Sequence, residues 1–145
     1  MEGTMDNIKM KDMLIQSLTK IYYMEAFQEL TEFLQGEQYV LHFLSENMEA
    51  EISPSFLSDC LHMTRPRVTA AINTLRSKGY VITSIDKEDR RKQKVNITDE
   101  GLRFIEEKKT KVEEYFLDFV DKLGEKDAME FFRLINMIVS NVEEE

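Results

Sequence analysis

The apolar positions fall into long helical stripes, broken once by a short stretch of strand-like alternation. Across residues 7–34 there is neither proline nor glycine, and the spacing predicts one long helix. At about 100° per residue, Leu14, Leu18 and Ile21 share one face of it, while Phe27, Leu30 and Leu34 lie almost opposite. A helix with two apolar faces meets a partner as well as its own core. Gly36 ends it, and residues 37–47 read as a second helix with Val40, Leu41, Leu44 and Met48 turned inward. Ser53-Pro54 marks a further start, with serine as cap and proline in the first turn, and Leu57, Cys60 and Leu61 pack inward behind it. After a break at His62-Met63, Thr64 caps a helix that runs to about Lys78 and stops at Gly79. Val68, Ala71, Ile72 and Leu75 form its tight apolar stripe.

The period then changes. Residues 80–85 are rich in β-branched side chains, and in 94–98 Val95 and Ile97 alternate with polar neighbours, so both read as strands. The charged run 86–93 between them has nothing to bury. Thr98 caps another long helix, with Asp99 and Glu100 in the first turn where the helix dipole favours acids. Its apolar side carries Ile105, Val112, Phe116, Phe119, Val120 and Leu123, and Gly124 stops it. A last helix shows Ala128, Phe131, Phe132, Ile135, Ile138, Val139 and Val142 at helical spacing. The expected fold is mainly α: a winged helix-turn-helix with a two-stranded β-hairpin wing, framed by N- and C-terminal helices that form a dimerisation bundle. One domain spans 1–145, with 1–35 and 99–145 as dimerisation helices and 36–98 as the winged helix-turn-helix. Pairing with a second copy is the simplest way to bury the terminal stripes.

A length of 145 residues suits one domain, and five glycines with two prolines argue against a β-sandwich. Cys60 is the single cysteine, which excludes an internal disulfide and suits a reducing compartment. No apolar run approaches a membrane span or a leader, so a soluble cytoplasmic protein is expected. The net charge of −9 speaks at first against nucleic acid, but it is unevenly spread. Residues 53–103 hold ten basic and six acidic side chains, leaving nine basic and twenty-two acidic elsewhere. An acidic body with a basic middle binds a polyanion through that middle and repels it elsewhere. A solvated surface of mixed sign accounts for the same charges, so motif and position decide.

The helices at 53–61 and 64–78, joined by about three residues, have helix-turn-helix spacing. With its stripe inward, the second helix shows Pro66, Thr69, Ala70 and Asn73 outward, with Arg65 and Arg67 flanking the first turn. Arginine reads guanine edges, asparagine reads adenine, and threonine or alanine meets the thymine methyl. Ser55, at the start of the preceding helix, joins the candidate contacts. Lys87, Arg90, Arg91 and Lys92 make the hairpin loop a basic projection that can reach a phosphate or a narrow minor groove. Asp86 and Asp89 are placed to orient these arginines by local salt bridges.

The stretch Thr64-Arg-Pro-Arg-Val-Thr-Ala-Ala-Ile-Asn-Thr-Leu-Arg-Ser-Lys-Gly-Tyr-Val81, followed by Asp86-Lys-Glu-Asp-Arg-Arg-Lys-Gln-Lys-Val-Asn-Ile-Thr-Asp-Glu-Gly101, resembles the signature of the MarR family of bacterial transcriptional regulators. That pattern runs through an Asp-x-x-Asp-Arg-Arg wing into a Leu-Thr-x-x-Gly helix start, where this chain has Ile97-Thr98-Asp-Glu-Gly101. The resemblance implies a homodimer held by the terminal helices, major-groove reading by the second helix, and a wing contact by Arg90 supported by Asp89. It also implies a crevice for a small aromatic or phenolic effector, for which Tyr22, Tyr23, Tyr39 and His42 are the candidate lining. The family's peroxide sensors carry a reactive cysteine in the N-terminal helix, where this chain has none.

No Ser-His-Asp arrangement, Cys-His pair or phosphate-cradling glycine loop appears, so no enzyme is expected. His42 and His62 are too far apart for metal-ligand spacing, and neither metal nor cofactor is expected. The expected function is a sequence-specific regulator that binds a palindromic double-stranded DNA operator as a homodimer, a repressor released by a small molecule. The alternative is a winged-helix module whose basic loop contacts an acidic protein.

Overall fold

A computed structural model describes the backbone of residues 2–143 and the side chains of residues 6–142; Met1, Glu144 and Glu145, the ends of the expected span, lie outside the described residues. The order is α1 (Glu2–Tyr22), α2 (Glu25–Phe33), α3 (Gly36–Glu46), α4 (Pro54–Leu61), α5 (Arg65–Ser77), β1 (Val81–Ile85), β2 (Gln93–Ile97), α6 (Asp99–Leu123) and α7 (Glu125–Glu143). The strands form one antiparallel hairpin in which Thr83 pairs with Val95. The architecture is the expected winged helix-turn-helix between terminal helices, with one change at the start of the chain.

The long helix predicted over 7–34 is two helices, separated at Tyr23–Met24. The break needs no glycine or proline. Gln28 reaches back from α2 and donates its Nε2 to the Tyr22 carbonyl at 2.6 Å, closing the end of α1, while Met24 is extended. The two opposed apolar faces therefore belong to different helices. Leu14 and Leu18 of α1 stay more than half exposed, whereas Ala26 and Phe33 of α2 are buried. Helix α2 lies along α6. Lys111 pairs with Glu29 at 2.9 Å across that seam, and hydrogen bonding to Glu29 raises the lysine's pKa. Tyr115 of α6 is held to Glu25 in the same way, which pushes its hydroxyl pKa up.

The core gathers under the central elements. Val40, Leu41 and Leu44 of α3, Ile52, Leu57 and Leu61 around α4, and Val68, Ala71, Ile72 and Leu75 of α5 pack with Val81, Val95 and Ile105. Among the described residues none of the buried side chains is polar or charged. Two residues expected inside are outside: Cys60 and Met48 are exposed. Helix α4 buries Leu57 and Leu61, one turn apart, and Cys60, about 100° round the helix from Leu61, falls off that line. Met48 falls beyond the end of α3 at Glu46 and so loses its helical phase.

The caps behave mostly as expected. Ser53 accepts from the Phe56 amide and Thr98 from the Gly101 amide. Thr64 occupies the cap position of α5 without a side-chain bond, its carbonyl accepting from Val68. Thr98 also donates its hydroxyl to the Gly79 carbonyl at 2.7 Å, and its amide bonds the Tyr80 carbonyl at 2.9 Å. Tyr80 then stacks on Phe104 of α6, ring centroids 4.5 Å apart. The corner between α5 and β1 is thereby fastened to the start of α6.

At the other end α7 buries Ala128 and half-buries Phe131, while Phe132, Ile135, Ile138, Val139 and Val142 are exposed. Among the described residues no helix is long and apolar enough to cross a membrane.

Candidate nucleic-acid interface

Helix α5 is held by its buried stripe, so everything on its other side is presented outward: Arg65, Pro66, Arg67, Thr69, Ala70 and Asn73 are all exposed. Two grooves flank this crest. On the wing side, a cleft of about 340 Å³ is lined by Ser53, Ser55, Arg65, Thr69, Arg91 and Lys92 among others. Five of the ten residues expected to touch DNA thus meet there: Ser55, Arg65, Thr69, Arg91 and Lys92. The amino-terminal turn of α4 opens into the same cleft, and helix amino termini favour anions. Pro66 and Asn73 stand on the crest beside it. Arg67 lies over the crest in a second groove, of about 710 Å³, with Tyr39, Glu37, Ala70 and Thr74. Lys87 and Arg90 are exposed on the wing loop.

The wing is shaped by its acids in a way the sequence did not suggest. Asp86 accepts from the Glu88 amide at 2.9 Å and Asp89 from the Arg91 amide at 3.0 Å, so among the described residues both carboxylates hold backbone rather than arginine side chains. The Glu88 amide keeps the Asp86 carboxyl below the usual carboxylate range; partial desolvation opposes it, and Lys94, the Asp89 amide and Lys92 assist. At the base of the wing, Val95 donates its amide to the Ile52 carbonyl at 2.8 Å, and Lys94 pairs with Glu51 at 2.7 Å. These bonds tie the hairpin to the segment that leads into α4.

Arg76 escaped the sequence reading. Its guanidinium donates Nη2 to Asn73 Oδ1 at 3.0 Å and Nη1 to Thr83 Oγ1 at 3.3 Å, linking the crest of α5 to β1. The only signal in the sequence is the three-residue spacing of Asn73 and Arg76 on one helix.

The four candidate effector residues are scattered. Tyr22 and Tyr23 stack edge-to-face, 5.2 Å between centroids, exposed at the end of α1. Tyr39 lines the groove that holds Arg67. His42 is half-buried against the Phe33 ring, 4.7 Å between centroids, with Nε2 3.5 Å from Glu46, which also lies 3.8 Å from Lys109. Cys60 is free and His62 sits exposed in the turn with a left-handed backbone. Among the described residues no group of three or more His, Cys, Asp or Glu side chains is gathered as a metal site.

The family model for MarR matches residues 37–92. The HTH-type transcriptional regulator PrsX of Escherichia coli is 34% identical over 85 residues, which is 59% of this chain and 51% of PrsX. The chain therefore spans about half the length of the curated relative it matches. Among solved structures, MepR, a transcription regulator of the Staphylococcus aureus multidrug efflux pump MepA, superposes with a TM-score of 0.69 at 19% identity, covering 89% of this chain and 96% of MepR. An S. aureus MepR–DNA complex gives 0.64 at 18%, covering 89% and 95%. At those identities the likeness is one of fold. The family match falls on the core of α3–α5, the crest of α5 and the wing loop described above, and over that stretch the winged helix-turn-helix of this chain matches the MarR family.

Proposed function

We propose that the protein is a transcriptional regulator that reads duplex DNA with α5 in the major groove and the wing along the adjacent backbone. The observation that carries this reading is the cleft where Ser55, Arg65, Thr69, Arg91 and Lys92 converge on the amino end of α4. Hydroxyls, guanidinium and ammonium groups with a helix amino terminus form a phosphate-binding set, and the base-reading crest stands directly beside it. The acidic remainder of the chain keeps that contact local.

Residues 36–98 are the reading head in this proposal, and 1–35 with 99–145 are the dimerisation helices. The exposed stripes of α1 and α7 support pairing of two copies, since more apolar surface is left bare than one chain covers. A homodimer places two heads on a palindromic operator, in the cytoplasm, as a repressor. The groove that Tyr39 shares with Arg67 is the better seat for a planar aromatic effector than the scattered tyrosine set, because a ligand there takes Arg67 away from DNA. The test is binding to a random-sequence duplex library across a salt series. Retention with a steep salt slope and enrichment of a two-fold symmetric site is expected; a flat salt response with no enrichment overturns the reading and favours an acidic protein partner.

A further inference from the structure

Asn73 stands exposed on the crest of α5, yet its side chain is not free to turn. Oδ1 accepts from Arg76 Nη2 at 3.0 Å, and the other arm of the same guanidinium is on Thr83 Oγ1 at 3.3 Å. A guanidinium only donates, so the amide atom facing it is the oxygen, and the NH2 group points away. Thr83 shares the inward face of β1 with buried Val81, and its strand pairs with β2, which is bonded to the segment before α4. Arg76 is therefore a strut between the reading crest and the best-anchored part of the wing.

We propose that Arg76 is a positioning residue for base recognition, holding the Asn73 amide with its NH2 outward before DNA arrives. The inference rests on the DNA-reading function proposed above. An amide held in this way presents two N–H donors, with one lone pair of Oδ1 already engaged. That changes the expectation drawn from residue type alone. Bidentate pairing with adenine needs the remaining Oδ1 lone pair and an N–H turned outward together, whereas an amide held with its NH2 outermost leads with donors, matched to acceptors such as the N7 and O6 of guanine or the O4 of thymine. Fixing the amide in advance also removes the rotamer freedom that a lone asparagine loses on binding. Arg76 itself need touch no base.

The test is site selection from a random duplex library by the full chain, comparing the unmodified protein with Asn73→Ala, Arg76→Ala and Thr83→Val, each checked by thermal melting. Asn73→Ala should flatten the preference at one base pair of each half-site. Arg76→Ala should flatten the same base pair by roughly ten-fold while leaving the others unchanged, and the double variant should lose no more than Asn73→Ala alone. Thr83→Val, nearly isosteric, should give part of the same loss, and it carries the test should Arg76→Ala fail to fold. An unchanged preference in the folded Arg76 or Thr83 variant, or flattening at a different base pair from Asn73→Ala, overturns the inference and leaves the regulator reading standing. Failure of the unmodified protein to enrich any site overturns that reading and this inference with it.

Discussion

Gly101 has no room for a side chain: a Cβ there would stand 2.2 Å from the Tyr80 carbonyl oxygen, closer than a non-bonded carbon and oxygen tolerate. Gly101→Ala should therefore cost about 1–3 kcal/mol of stability by overpacking, read as a lower denaturation midpoint at constant slope. Ile72→Ala, which empties part of a fully apolar core, should cost about 2–5 kcal/mol. Either variant melting like the parent would show the packing to be looser than described. Asp86 makes a different kind of statement. Its pKa is depressed by the Glu88 amide, so its support of the wing loop is present above the ordinary carboxylate pKa and is lost as pH falls through the lower folded value. The Glu88 amide resonance should titrate with a midpoint below the usual carboxylate range, and Asp86→Asn should abolish that step. A midpoint at or above the ordinary value contradicts the hydrogen-bond assignment.

At the scale of elements, the proposed function divides the work between wing and crest. Arg90 is exposed on the loop, where contact with phosphate carries no sequence information. Arg90→Ala should weaken operator and scrambled duplex by similar factors and lower the salt slope by about one unit per protomer. Arg67→Ala, on α5, should cost on the order of 1–3 kcal/mol on the preferred sequence alone. Equal losses on both duplexes for both variants would mean that α5 does not read bases. The elements themselves were legible where one period ruled: the stripe of α5, the alternation of Val95 and Ile97, and the caps at Ser53 and Thr98 all follow from local chemistry. What stayed hidden is made by residues reaching between elements. Gln28 ends α1 from the next helix, and Arg76 joins α5 to a strand seven residues on. Cys60 and Met48 had plausible spacing, but the buried line of α4 runs through Leu57 and Leu61 and leaves Cys60 beside it, and α3 ends before Met48. The cleft beside α5 depends on residues 53–55, 65–69 and 91–93 meeting in space, and the spacing of those segments along the chain does not reveal that meeting.

For the whole molecule, the bare stripes bear on the proposed pairing of two copies. Ile138 and Val142 of α7 and Leu14 and Leu18 of α1 are each more than half exposed, and burying such a side chain contributes about 1.5–3 kcal/mol. Light scattering should return twice the chain mass at micromolar concentration. Ile135→Asp with Ile138→Asp should halve it while the head, whose core these residues do not join, keeps its fold. A monomeric mass for the unmodified protein, with native helicity, contradicts the dimer.

The fastening of Tyr80 and Gly79 to the start of α6 has a mechanical consequence. Helix α6 is 25 residues long, about 37 Å at 1.5 Å per residue, and its near end is rigidly joined to the wing and to the end of α5. It acts as a lever arm with its load at one end. A tilt of about 10° where α6 meets α7 sweeps the load through about 6 Å, against a groove-to-groove repeat of roughly 34 Å. In the proposed dimer, small angular slack in the bundle would thus be geared up into a misfit at the DNA, and tolerance for variation in half-site spacing would be set at the end farthest from the bases.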